Sequence, residues 1–120
     1  MLIGLISDVH SNAVALKAVL DDLDELGINI FLHAGDIVGY NPYPDETIDL
    51  FQMKKVISIR GNHDRAFIIG DTSDFNPYAA AAMEWTRNAA SKECLNYIMG
   101  LKDTVTRGAK GERMILKCEY

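Results

Sequence analysis

Residues 2–10 of this 120-residue chain read Leu-Ile-Gly-Leu-Ile-Ser-Asp-Val-His. The first five form a short apolar run without polar alternation, the pattern of a strand buried on both faces in a parallel sheet. Asp8 and His10 leave its carboxyl end. Residues 13–26 then place Leu16, Val19, Leu20, Leu23 and Leu26 at helical spacing, with Lys17, Asp21, Asp22 and Asp24 largely off that stripe. Asn12 suits the N-cap and Gly27 the stop. Ile28 to Leu32 make a second strand, closed by Ala34-Gly35-Asp36. Pro42 and Pro44 mark a loop. Asp45 to Lys54 read as a second helix with Ile48 and Phe51 inward, and Val56 to Ile59 as a third strand cut off by Gly61. Strand–helix–strand–helix–strand is the pattern of a right-handed α/β unit.

Beyond it, Asp71 to Asn76 are loop-like. Asn76-Pro77 starts a helix that runs to about Ala90, with Met83 and Trp85 expected in the core. Ser91 caps a further helix through Met99. Thr104 to Thr106 and Met114 to Cys118 read as two strands joined through Arg107-Gly108-Ala109-Lys110-Gly111.

The chain is 48% hydrophobic and 24% charged, with a net charge of −5, which is ordinary for one globular domain. The acidic balance argues against a broad nucleic-acid-binding face. No apolar run approaches the roughly 20 residues of a membrane helix. The amino terminus has no basic leader and meets Asp8 too early for a signal peptide. Cys94 and Cys118 are too few and too far apart for a disulfide scaffold or a CxxC knuckle, so a reducing, cytoplasmic setting is expected.

Three segments rich in acid, amide and imidazole follow the three strands: Asp8-Val9-His10, Gly35-Asp36 and Gly61-Asn62-His63-Asp64. In a parallel sheet those strand ends share one edge, where ligand sites form. Asp8 and His10, two apart on an extended segment, point the same way, so one ion can take a carboxylate oxygen and an imidazole nitrogen. Alone, the pair also reads as a capping aspartate beside an exposed histidine. Gly35 lets the backbone approach an ion closely, and Asp36 can offer one oxygen to each of two cations; Gly-Asp alone is commonly just a turn. Asn62 offers a neutral oxygen. His63 can donate to a phosphoryl oxygen, and Asp64 can hold its imidazole in one tautomer and raise its pKa. A plain polar turn would need only the Gly and the Asn. His33 has two readings: a substitute ligand, or a structural residue, since alternate strand positions face opposite sides. Arg60 and Arg65 flank the third segment as candidates for a phosphate contact, Tyr40, Tyr43 and Tyr78 as candidates for a cleft wall; solvated arginines and tyrosine packing are the plainer readings.

Asp8-x-His10, Gly35-Asp36-x-x-Gly39 and Gly61-Asn62-His63-Asp64, in this order and spacing, resemble the calcineurin-like metallophosphoesterase family. Ser11-Asn12, Gly35 to Tyr40 and Pro42-x-Pro44 are similar to its YfcE-like phosphodiesterase branch. Gly39-Tyr40 replaces the arginine that protein Ser/Thr phosphatases and diadenosine tetraphosphatases carry after their Gly-Asp motif. The resemblance implies the amino-terminal part of that family's α/β sandwich. It implies two divalent ions, Mn²⁺ first, with Fe, Zn²⁺, Ni²⁺ or Co²⁺ as alternatives. Asp8 and His10 would hold the first metal, Asp36 would bridge, and Asn62 would help hold the second. His63 would contact the phosphate, with Asp64 behind it. The activity implied is hydrolysis of a small phosphate mono- or diester by a metal-bound hydroxide.

The chain departs from the family in two respects. The family carries further histidines downstream, whereas His10, His33 and His63 are the only three here. Its fold also needs more chain. Residues 1–120 therefore read as one calcineurin-like phosphoesterase domain incomplete at its C-terminus, needing a complementing C-terminal half or self-association to cover apolar sheet surface. A catalytically incomplete scaffold that binds other proteins is the competing reading. Asn41 stands where similar sequences have glycine, and would tolerate a left-handed backbone there.

Overall fold

A computed structural model describes residues 2–108 and 113–118. Three short parallel strands, β1 (Gly4–Ile6), β2 (Phe31–His33) and β3 (Ile57–Ser58), lie in the order β1-β2-β3. The register pairs Leu5 with Leu32 and His33 with Ser58. Helices α1 (Ala13–Glu25) and α2 (Pro44–Met53) make the two crossovers, as the apolar spacing predicts. The Asn12 side chain caps α1 by accepting from Ala15 N–H at 3.1 Å, and Gly27 ends the turn beyond it with φ +76°.

The sequence reading places no helix between the third strand and the loop at Asp71. One forms there: α3 (Asn62–Ile69) begins inside the Gly-Asn-His-Asp segment. The Asp64 carboxylate folds back to accept the Gly61 N–H at 2.9 Å, which nucleates the first turn. Gly70 closes it in the left-handed conformation, φ +79°. Helices α4 (Pro77–Ala89) and α5 (Lys92–Met99) start at Asn76 and Ser91, whose side chains cap them. Strands β4 (Thr104–Arg107) and β5 (Met114–Lys117) pair antiparallel; residues 109–112 of their connection lie outside the described residues.

Alternation along the strands divides the core in two. Phe31 faces the helices, packing with Leu16, Leu20, Phe51, Met83 and Ile98. Leu32 faces the other way, towards Ile59 and Leu116 under the β4–β5 pair. This second layer covers the sheet only in part. Leu5, expected to be buried, is 66% exposed, because nothing among the described residues packs over β1 on that face. Trp85, expected in the core, is 49% exposed; on α4 it is Met83 that is fully buried. No described helix is long and apolar enough to cross a membrane.

Candidate metal centre

The loops leaving β1 and β2 are laced together by backbone hydrogen bonds. Asp8 N–H donates to Gly35 C=O (3.0 Å), His10 N–H to Asp36 C=O (3.0 Å) and Ser11 N–H to Ile37 C=O (2.7 Å). Asp8, His10, Ser11, Asp36 and Tyr40 all have positive φ, between 48° and 64°. Each such residue stores about 1–3 kcal/mol of strain, and clusters of them occur where a site over-determines the backbone. The segment after β1 is therefore not extended, as the sequence reading assumed. A left-handed turn at residues 8 and 10, rather than strand alternation, brings the two side chains together.

The result is a triad. One ligand atom each from Asp8, His10 and Asp36 lies within 4.8 Å of the others. The His10 Nδ1 sits 3.0 Å from the Val38 carbonyl, so it carries the proton and donates. That leaves the Nε2 lone pair facing Asp8 Oδ1 at 3.5 Å. Asp36 Oδ1 accepts the His63 N–H at 2.9 Å. Asp8 is exposed, whereas Asp36 is buried, and its carboxyl is pushed up by burial, against the pull of the His63 N–H and of the nearby imidazoles. Three lone-pair donors gathered at one point, one histidine fixed by a carbonyl behind it, is the donor chemistry a hard or borderline cation requires.

Gly61-Asn62-His63-Asp64 closes one side. His63 packs edge-on to His10, with ring centroids 4.6 Å apart, and lies between Tyr40 (5.1 Å) and Phe75 (4.4 Å). Its Nδ1 faces Gly39, is buried, and has no hydrogen-bond partner among the described residues. Burial holds the His63 imidazole below its ordinary range, outweighing the nearby Asp36.

Asp64 does not orient His63, as the sequence reading assigned it. Its oxygens accept four backbone N–H groups: Asp36 (2.9 Å), Ile37 (2.8 Å), Val38 (3.2 Å) and Gly61 (2.9 Å). As the third residue of α3 it turns back onto the loops and not out along the helix. Burial pushes its carboxyl up to about 6, opposed by those N–H groups. Asp64 is thus the clasp between the second and third loops.

Asn62 starts α3 and is exposed, beside Arg65 on the rim of a cavity of about 510 Å³. Arg60 is turned away, donating to the Leu101 carbonyl at 2.5 Å. Tyr40 forms a wall of the site, edge-on to His10 at 4.9 Å. Tyr43 lies on a separate groove with Ala13 and Glu46, and Tyr78 is 86% exposed. Asn41 is not left-handed; Gly39 and Tyr40 take that conformation instead. Its side-chain amide donates to the His10 carbonyl at 2.9 Å, pinning the first loop.

A family model for calcineurin-like phosphoesterases matches residues 1–112. The chain belongs to that family. It is 37% identical over 115 residues, 95% of its length, to protein MJ0912 of Methanocaldococcus jannaschii, of which it covers 47%. It is 41% identical to the metallophosphoesterase of Sphaerobacter thermophilus, whose structure it matches with a TM-score of 0.71 over 88% of this chain and 43% of that one. Protein PH1004 of Pyrococcus horikoshii OT3 shares the fold at 21% identity, with a TM-score of 0.84 over 95% of this chain and 54% of that one. The chain therefore spans about half the length of each of these three proteins.

Two further residues of this calcineurin-like chain lie beside the triad without belonging to it. Cys118, just past β5, has its thiol pushed up by burial and by the charges of Asp36, Asp8 and Asp64, against the pull of the Asn62 N–H. Only the fold of β5 back over the sheet brings it there. His33 is fully buried and lies behind the triad, edge-on to Phe51 at 4.9 Å, and not in it. Burial lowers its pKa to about 3. A histidine neutral in the fold but titrating near 6.5 when unfolded takes up its proton only on unfolding, so its contribution is lost as pH falls from 6.5 towards 3. Asp64, raised in the fold, works in the opposite sense. Comparison with His33→Asn isolates the first effect. Between pH 7 and pH 5 the wild type should lose about 2 kcal/mol more stability than the variant in urea unfolding; equal losses would contradict a neutral, buried His33.

Proposed function

We propose that this chain is the metal-binding amino-terminal part of a phosphoesterase that hydrolyses small phosphate esters, diesters in particular, in the cytoplasm. The observation that carries the reading is the Asp8–His10–Asp36 triad, with His10 Nδ1 committed to the Val38 carbonyl. Asp8 and His10 would hold one ion and Asp36 would reach both. Asn62 would hold the second, for which the described residues gather no further group of His, Cys, Asp or Glu. Oxygen and nitrogen donors suit Mn²⁺ first, then Fe, Zn²⁺, Ni²⁺ or Co²⁺. Bound divalent ions supply charge that acidifies water and neutralises phosphoryl oxygens.

The protein's own groups do the rest. His63 is closed at Nδ1 by Gly39, so Nε2 is the nitrogen that meets a phosphoryl oxygen. Tyr40 and Phe75 hold its plane. Asp64 keeps the second and third loops in register. The test is Mn²⁺-dependent hydrolysis of bis-p-nitrophenyl phosphate, with Mn²⁺ binding read by electron paramagnetic resonance. Asp36→Asn is expected to weaken Mn²⁺ binding at least about 100-fold, the upper end of what losing even a ligand's hydrogen-bond partner costs. Metal binding left intact by Asp36→Asn would defeat the proposal.

The sparse donors for the second ion favour a second reading, a non-catalytic scaffold. Two ions bound per chain would exclude it. In either reading we propose that the open sheet face is covered by a complementing C-terminal half or by a second copy. Leu5 and Ile115, 66% and 60% exposed, are the residues this contact would bury. Sedimentation of the 120-residue chain is expected to show a concentration-dependent dimer, which Leu5→Lys with Ile115→Lys abolishes; a monomer at all concentrations would remove the second-copy arm.

A further inference from the structure

We infer that His33 is a positioning residue for Asp36, acting through the Gly35 N–H; this rests on the metal-site reading above. Gly35 is buried, with φ +104°, and a Cβ on it would come within 2.9 Å of the Gly61 backbone. On its other side the Gly35 N–H meets His33 Nδ1 at 3.3 Å. The same Nδ1 lies 2.8 Å from Ser58 Oγ, and Ser58 Oγ lies 2.9 Å from the Ile59 carbonyl. His33 Nε2 is buried without a partner among the described residues.

These contacts admit two tautomers, and the direction of the Gly35 N–H separates them. With the proton on Nδ1, the ring donates to Ser58 and Ser58 to the Ile59 carbonyl, but the Gly35 N–H is then aimed at another N–H and has no acceptor. With the proton on Nε2, Nδ1 accepts from Gly35, and the single Ser58 hydroxyl proton goes to Nδ1 or to the Ile59 carbonyl, not to both. A backbone N–H directed at Nδ1 requires an acceptor there, so the second arrangement holds. The depressed pKa keeps the ring uncharged and the acceptor available. Gly35 is thereby gripped between His33 and Gly61, and the direction in which Asp36 leaves the turn is set from behind.

Two measurements on the 120-residue chain test this. Nitrogen NMR of the unaltered protein should find His33 protonated on Nε2; a proton on Nδ1 overturns the inference, whatever any variant does. Mn²⁺ titration should show His33→Leu binding at least 10-fold more weakly. Two variants should stay within about threefold of the wild type: Ser58→Ala, which spares the Gly35 contact, and His33→Asn, whose amide oxygen can take the place of Nδ1. A merely structural His33 would make affinity follow thermal stability across all three. His33→Leu with wild-type affinity sinks the inference alone, whereas an unaltered chain that binds no Mn²⁺ sinks the metal-site reading. If His33→Leu does not fold, the tautomer decides.

Discussion

Asp64→Ala is expected to abolish the folded state, or to leave it with native-like helices and no fixed site. The carboxylate is wholly buried and accepts four backbone N–H groups, three from the loop after β2 and one from the start of α3. Alanine strips all four donors of their acceptor at once. A buried donor left bare costs about 1–3 kcal/mol. Even if entering water recovers half of the sum, the loss is about 2–6 kcal/mol, whose upper end is comparable to the whole stability of a small domain. Asp64→Asn keeps one oxygen and turns an NH₂ group against the remaining donors, so it should fall between. Urea unfolding with near-ultraviolet circular dichroism reads both variants. A loss under about 1 kcal/mol for Asp64→Ala would show that the loops are held by something else.

This clasp also marks the boundary of what the sequence made legible. The strand–helix–strand–helix–strand order was plain because the apolar spacing of residues 2–6, 13–26, 28–32 and 45–54 is local and strong. The converging triad was legible for the same reason, since a parallel sheet leaves few places for strand ends to go. Asp64 was misread because its type is equally suited to orienting an imidazole or to binding N–H groups. Only the start of α3 at Asn62 decides, and that helix carries a weak apolar stripe. His33 was ambiguous because strand alternation fixes its face but not its partners; Ser58 and Gly35 meet it through sheet register. Leu5 was expected to be buried because the pattern of a two-faced strand says nothing about which chain supplies the second cover. Cys118 was invisible as a neighbour of Asp36 because the two are brought together by tertiary packing alone.

Gly61→Ala should destroy the metal site while asking little of the backbone at residue 61 itself. Gly61 has φ −92° and ψ −179°, an extended conformation that any residue adopts. The reason for glycine is space. An added Cβ would lie 2.2 Å from Asp36 Oδ1 and 2.4 Å from Asp36 N. Neither atom can retreat cheaply. The Asp36 N–H is bonded to Asp64, its carbonyl accepts the His10 N–H, and its Oδ1 accepts the His63 N–H. The methyl must therefore push Asp36 out of the triad or open the clasp, at about 1–3 kcal/mol for overpacking, with any bared N–H adding to it. Mn²⁺ affinity is expected to fall at least about 100-fold, beyond what losing one supporting hydrogen bond does. Gly100→Ala is the control. A Cβ there meets nothing nearer than 3.5 Å, φ is −78°, and the exchange should be neutral or add up to about 1 kcal/mol of stability. The two variants differ by the same single methyl, so metal affinity surviving in Gly61→Ala would mean that Asp36 is not the carboxylate around which the site is built.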